Sequence, residues 1–356
     1  MIVAKSWGFS SNYASAFLLP LHASLFHQSS LTRRGLGWLL LFLYEAQNNA
    51  DLMLTEKAKL NYTQVTSLIE RLTNSTSMFQ VKPMCPSDYV YAAELANTMS
   101  WNMTNEDFAF NCLLEPEGCF VLYEDSNRVG IATCVGYVKT GWFGNLIVNP
   151  DNRRKGAGGF LVRHAVNYLH NKGIETVGLY AYPNLTGFYN EIGFVADEYY
   201  SVLHARSIPK IVGGQVSEIS NSHLEAIARF DQDYFGGDRK RLLYSIIKGE
   251  GNFGFFVAEE TGMQGYVLVK VYGSMAEVGP LVCVPDRVDV AVKLLKCALG
   301  KLADFDVYLC LQKNQTTLQK YLYSVGFREE FYLTRMFLSP KLSRNCIYIA
   351  ESKERG

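Results

Sequence analysis

The chain has 356 residues, 48% of them hydrophobic and 19% charged, which supports packed cores over about two domains and excludes a chain disordered throughout. Its 34 basic and 34 acidic residues cancel, so a general polyanion-binding surface and a nucleic-acid partner are not expected. The longest strongly apolar run, residues 36–44, is far short of the ~20 residues of a membrane helix, so no membrane partner is expected either.

Residues 1–44 contain no Asp or Glu, and Lys5, Arg33 and Arg34 are their only fixed charges. That balance suits either an organelle transit peptide or an N-terminal extension with no part in the fold. A cytoplasmic location is expected, with a mitochondrial one as the alternative that the acid-free N-terminus suggests. Apolar or small residues at Leu54, Ala58, Val65 and Leu68 predict a helix over 52–72. Residues 1–77 are set apart as an extension without assigned chemistry.

From Phe79 onward short strands alternate with helices. Phe79-Gln-Val-Lys-Pro-Met reads as a strand, and 88–99 as a helix entered at Ser87. Thr104-Asn-Glu-Asp107 reads as a second helix start, with Thr104 as the cap. Segments 118–123 and 129–138 read as a hairpin across the turn 124–128. A strand over 144–148 runs into Asn149-Pro150-Asp151 and a glycine-rich turn. The next helix carries Ala157, Phe160, Leu161, Ala165, Tyr168 and Leu169 as an apolar stripe and stops at Gly173. His164 lies on that stripe and reads as a core histidine.

The same order recurs downstream. Strands over 253–258 and 264–271 flank a turn, and Gly279-Pro-Leu-Val-Cys-Val-Pro285-Asp286 precedes a helix. Pro150-Asp151 and Pro285-Asp286 lie 135 residues apart, and Gly193-Phe194 and Gly326-Phe327 lie 133 apart. Two landmarks at nearly one offset predict a duplicated domain. Pro209, Gly213 and Gly214 mark the linker. The expected division is 1–77 extension, 78–206 first domain, 207–217 linker, 218–340 second domain and 341–356 C-terminal tail. The eight cysteines form no C-x-x-C, so free thiols in a reducing compartment are expected and no metal site is assigned. Asp238-Arg239 reads as a pair that braces the domain interface, or else as a solvated helix start.

The chemistry concentrates at Arg153-Arg154-Lys155-Gly156-Ala157-Gly158-Gly159. A helix start leaves amide groups without partners and carries partial positive charge. Glycines let a phosphate approach those amides, and the basic side chains add charge-assisted contacts. The turn is an anion cradle suited to a pyrophosphate. It matches neither the P-loop nor the dinucleotide G-x-G-x-x-G pattern.

Arg153-Arg-Lys-Gly156-Ala-Gly158, set after Val148-Asn-Pro at a strand-to-helix junction, resembles the R/Q-x-x-G-x-G/A signature of the GNAT N-acetyltransferase superfamily. Phe188-Tyr189-Asn-Glu-Ile-Gly193-Phe194 is similar to that superfamily's L-Y-E-K-L-G-F element. Trp101-Asn102, Leu114-Glu-Pro-Glu-Gly-Cys-Phe-Val and Gly141-Trp142-Phe-Gly resemble the subgroup with a C-terminal YitH/HolE-type acetyltransferase domain, and Asp233-Tyr-Phe-Gly-Gly-Asp238-Arg239 and the terminal Arg335-Met336 are similar to that second domain. The resemblance implies an α/β (α+β) fold of two tandem GNAT-like domains, each a mixed twisted sheet flanked by helices, the second degenerate.

It also implies acetyl-CoA as cosubstrate and a small-molecule or peptide amine as acceptor. The backbone of Leu146, Ile147 and Val148 should pair with the pantetheine arm, and the turn 153–159 should hold the pyrophosphate. Tyr189 matches the tyrosine that protonates the departing thiolate; a phenol of ordinary pKa ~10 can donate to a thiolate whose acid has pKa ~8.5. Tyr182 stands where many of these enzymes carry an Asn, with Asn184 two residues later. The strand 141–148 lacks the carboxylate that several members use as general base. Glu115 and Glu117, near the preceding strand, are the candidates left. Trp101, Trp142 and Tyr137 are candidates for lining the acceptor pocket or for core packing.

The second copy places Val288, Asp289, Ala291 and Lys293 opposite Arg153, Arg154, Gly156 and Gly158, and Leu322 opposite Tyr189. It is expected to bind no CoA. The resulting expectation is an acetyl-CoA-dependent N-acetyltransferase working by direct attack in a ternary complex. A non-catalytic acyl-CoA-binding or regulatory protein is the alternative. Oligomeric state is not legible in the sequence.

Overall fold

The computed structural model describes residues 79–206, 208–209, 211, 216–338 and 346–356. The acid-free stretch, the helix expected over 52–72 and much of the linker lie outside them. The first half runs β1 (Phe79–Pro83), α1 (Tyr89–Asn97), α2 (Asn105–Leu114), β2 (Cys119–Glu124), β3 (Asn127–Tyr137), β4 (Thr140–Val148), α3 (Ala157–Asn171), β5 (Thr176–Ala181), α4 (Thr186–Ile192) and β6 (Val195–Arg206). The second half repeats it as β7 (Ser217–Glu218), α5 (Leu224–Phe235), α6 (Lys240–Lys248), β8 (Phe253–Glu259), β9 (Gly262–Tyr272), β10 (Met275–Cys283), α7 (Val288–Gly300), β11 (Asp306–Gln312), α8 (Thr316–Ser324) and β12 (Arg328–Leu338). A short β13 (Ile347–Ile349) follows.

Local chemistry explains the element boundaries. α2 opens as expected at Thr104, whose amide donates to the Asp107 carboxylate at 2.8 Å. α1 starts later than expected, because Pro86–Asp88 forms a 3-10 turn in which Asp88 accepts from the Cys85 amide at 3.0 Å. The Gly-Phe landmark also has a physical meaning in both copies. Gly193 and Gly326 each take φ 106, a left-handed helix stop, and the following Phe194 and Phe327 are buried.

α3 buries Leu161, Val162, Ala165 and Leu169 against one face of β2–β5, and α1 covers the other face through Ala92, Leu95 and Ala96. Each leucine and valine among them contributes about 1.5–3 kcal/mol on burial, and each alanine less. His164, expected in the core, is instead exposed, with only its ring edge against Phe120 at 4.9 Å. All eight cysteines are free thiols.

The strands form one sheet in the order β1-β2-β3-β4-β5-β12-β6-β11-β13-β10-β9-β8-β7. Its centre is an exchange. The last strand of the second half, β12, pairs with β5 of the first (Thr334↔Ala181), while β6 pairs with β11 of the second (Ser201↔Leu311). β6 and β12 pair with each other. The two halves therefore complete each other's sheets.

Arg239 braces this arrangement, but its partner is Asp231 on α5 and not Asp238. Both side chains are fully buried, with Nε to Oδ2 at 3.0 Å and Nη2 to Oδ1 at 2.6 Å. Asp238 is exposed and accepts from the Lys240 amide at 2.9 Å, just before α6. Among the described residues no helix is long and apolar enough to cross a membrane, and no cluster of His, Cys, Asp or Glu is disposed to hold a metal.

Candidate active site

β4 and β5 are parallel and pair only over Thr140–Trp142 and Thr176–Gly178. Past that point they diverge. β4 stays paired to β3 on its other side, with a bulge between Gly144 and Ile147 and with Asn145 at φ 49. The edge of β4 that faces β5 thus leaves the ladder at Leu146, Ile147 and Val148. A wedge opens there, bounded by backbone able to accept an extended chain as an added strand.

The wedge leads to the glycine turn. Arg154 (φ 62) and Gly156 (φ 88) both take left-handed backbone before α3 begins at Ala157. For Arg154 that conformation costs about 1–3 kcal/mol, a cost typical of functional loops. No atom lies within 4 Å of where a Gly156 Cβ would stand, and a Gly158 Cβ would meet only the Phe188 ring, at 3.5 Å. The first amides of α3 face open space that side chains leave unfilled. Arg153 folds back, its Nε donating to the Val148 carbonyl at 2.9 Å, so it braces the turn. Arg154 and Lys155 are exposed. Gly159 is buried inside the helix start beside Arg163.

Tyr189 on α4 is buried among Phe188, Phe194 and the α3 core. Burial pushes its phenol well above the usual range, so it stays protonated and able to donate. Tyr182, at the mouth of the wedge just after β5, accepts from Trp101 Nε1 at 3.2 Å and lies against Phe331 of β12. Deeper in, Trp142 stacks on Tyr180 at 5.1 Å and is fully buried. Arg335 of β12 donates to Asp197 at 2.7 Å and to the Tyr200 hydroxyl at 2.6 Å. Phe331 and Arg335 come from the second half, and only the strand exchange brings them here. Sequence reasoning marked Arg335 as a landmark of the second domain, with no hint that it reaches the first, and offered no signal for Phe331.

The two candidate carboxylates lie elsewhere. Glu115 accepts from the Gly136 amide at 3.1 Å, the Tyr168 hydroxyl at 2.7 Å and the Lys172 ammonium. Tyr168 lies near the far end of α3 and Lys172 caps it, about 16 and 22 Å along the axis from Ala157 at 1.5 Å per residue. Glu117 is exposed in the turn before β2, at that same end. Tyr137 is buried, its hydroxyl donating to the Arg355 carbonyl at 3.0 Å.

The equivalent wedge of the second half is filled by its own chain. β10 and β11 pair over Met275–Glu277 and diverge, and β13 then enters between them, pairing Leu281↔Ile349 and Leu311↔Ile349. At the start of α7, Asp289 stands in place of an anionic ligand. Hydrogen bonds from Arg287, then that residue's charge and the Val290 amide, hold its carboxyl below the usual range. Leu322 is buried in the core.

A mixed sheet that splays beside a glycine-rich helix start, present twice with the second copy closed, defines a tandem acyltransferase-type architecture. The comparisons agree: residues 87–194 match the Acetyltransferase (GNAT) family and residues 227–348 an Acetyltransferase (GNAT) domain. The chain carries two GNAT domains in tandem and is an N-acetyltransferase of the GNAT superfamily. It is 25% identical over 290 residues to the holothin acyltransferase of Pseudoalteromonas sp. (strain SANK 73390), spanning 77% of this chain and 94% of that protein. Among solved structures, a protein from Pyrococcus horikoshii assigned to the acetyltransferases superposes with TM-score 0.66 at 21% identity, over 78% of this chain and 96% of that one. A tandem GNAT protein of the clavulanic acid biosynthesis pathway superposes with TM-score 0.54 at 13% identity, over 74% of this chain and all of that one.

Proposed function

We propose that this protein transfers an acetyl group from acetyl-CoA to a small-molecule or peptide amine, with acetyl-CoA held by residues 78–206 and with 218–340 as a companion domain that binds no CoA. The observation that carries this reading is the continuity of the open β4 edge with the glycine cradle and Tyr189. An acyl-CoA supplies the activated thioester. Leu146, Ile147 and Val148 would align its pantetheine arm as an added strand. The amides from Arg154 to Gly159, with Arg154 and Lys155, would hold its pyrophosphate. Holding both substrates together removes the entropic cost of their encounter, and backbone donors at the β4 bulge would stabilise charge on the carbonyl oxygen. Tyr189 would return a proton to the leaving sulfur.

The test is free-thiol release from acetyl-CoA by the full chain across a library of amines. Thiol release that depends on the amine supports transfer. Binding of acetyl-CoA with no release by any amine would favour the regulatory alternative, which the placement of Glu115 and Glu117 away from the wedge also favours. Tyr189→Phe removes only the hydroxyl, so turnover should fall about 100-fold while acetyl-CoA affinity stays constant. Equal turnover in that variant would leave Tyr189 as a packing residue.

A further inference from the structure

The strand that lacks a carboxylate receives one from another part of the chain. After β13 the chain crosses to the α2 side of β4. There a Cβ added at Gly144 would collide with the Cβ of Glu354 and come within 2.6 Å of its Cα. Gly144 is two residues past Trp142, the last β4 residue paired with β5, and it directly precedes the bulge. Glu354 therefore enters at the apex of the wedge, on the face where a β4 side chain would have projected. Gly144 leaves the room for it.

The segment is rigidly held. Arg355 donates to Glu351 at 3.0 Å and to Asn111 of α2 at 3.0 Å. Lys270 donates to Glu351 at 2.6 Å, Tyr137 to the Arg355 carbonyl and Arg239 to the Gly356 oxygen at 3.1 Å. Burial pushes the Glu351 carboxyl up, but Arg355 and Lys270 outweigh this and bring it to about 2, so it stays an ionised anchor. Glu354 differs. Its side chain keeps 15% exposure, and the charged group that meets it is Arg355, with Nη1 at 2.6 Å. The β4 and β3 residues around Gly144, namely Trp142, Asn145 and Thr133, are uncharged, as is Asn111 of α2. Lys270 and Glu351, both buried, and the half-buried Glu277 form an ionic group on the other side of Arg355, which bridges Glu351 and Glu354.

We propose that Glu354 is the proton acceptor for the attacking amine. This rests on the acetyl-transfer reading above. The amine nitrogen forms a bond to the thioester carbon and its proton passes to the Glu354 carboxylate. The C–S bond breaks with its electron pair on sulfur, which takes a proton from Tyr189.

Glu354→Gln keeps the shape and removes the base, and Glu354→Asp keeps the base on a shorter stem. With alkylamine acceptors, Glu354→Gln should lose about 100-fold in kcat at pH 7 and lose the acidic limb of the kcat/KM profile, while Glu354→Asp retains part of both. Weakly basic acceptors that arrive neutral, such as anilines, should be acetylated by Glu354→Gln with a much smaller loss. Acetyl-CoA affinity by calorimetry and the melting temperature should match those of the unaltered protein. Unchanged kcat with alkylamines overturns the assignment, and so does an equal loss for both acceptor classes, which marks a structural role. If the unaltered protein binds no acetyl-CoA or releases no thiol with any amine, the transfer reading falls and this inference with it.

Discussion

Gly158→Asp should abolish acetyl-CoA binding in calorimetry, where the unaltered chain should bind one acetyl-CoA. The substitution separates ligand from fold. Position 158 is within the first turn of α3, where an added Cβ meets only the Phe188 ring at ordinary contact distance. A carboxylate at a helix N-terminus stabilises by about 0.3–1 kcal/mol, so the melting temperature should hold or rise. The same carboxylate occupies the space in front of the amides and repels a pyrophosphate. A micromolar complex is worth about 8 kcal/mol, and most of it is lost if the diphosphate cannot dock. Arg154→Glu should act in the same direction. A stoichiometry of two would mean that the second half binds despite β13 in its wedge. Unchanged affinity in both variants would remove the cradle from the binding site.

The cradle was legible because it is local. Gly156, Gly158 and the basic residues fall within seven positions, and their effect depends on backbone geometry that glycine permits. The duplication was legible for a related reason: Gly193-Phe194 and Gly326-Phe327 are the same helix stop and core anchor used twice. The strand exchange was not legible. β6 and β12 are both largely exposed at their starts and buried over their later halves, so no residue announces the swap. Arg335, Phe331 and Glu354 reach the first half from more than 130 residues away, through pairings that only the folded sheet defines. The surroundings of Glu115 were not legible either. That residue is close in sequence to the right strand but lies at the wrong end of it, where Tyr168 and Lys172 hold its carboxylate. The closed second wedge was half legible. Asp289 and Leu322 stand where the first copy has Arg154 and Tyr189, but the short, apolar β13 gave no sign of where it would insert.

Arg239→Met should destabilise the folded chain by about 3–5 kcal/mol, read as a fall in the urea midpoint. The guanidinium is fully buried and makes four hydrogen bonds, two to Asp231, one to the Tyr348 hydroxyl and one to the Gly356 oxygen. It also lies 3.7 Å over the Phe235 ring. Methionine fills much of the volume but leaves the Asp231 carboxylate buried with the Tyr266 hydroxyl, at 2.6 Å, as its remaining donor shown here. That uncompensated charge, and not the lost pair as such, is the dominant cost. Folded domains are stable by only about 5–15 kcal/mol, so the loss is a large share of the total. The double change Asp231→Leu with Arg239→Met removes both charges and should recover most of the deficit, since buried ion pairs are often matched by apolar residues of similar volume. A single-variant loss below about 1 kcal/mol, or a double variant no better than the single, would show that the pair does not hold α5 against β13. Because Arg239 also grips the segment that presents Glu354, the double variant should regain stability without regaining full turnover. The anchor of the fold and the positioning of the base would then be separable in one pair of proteins.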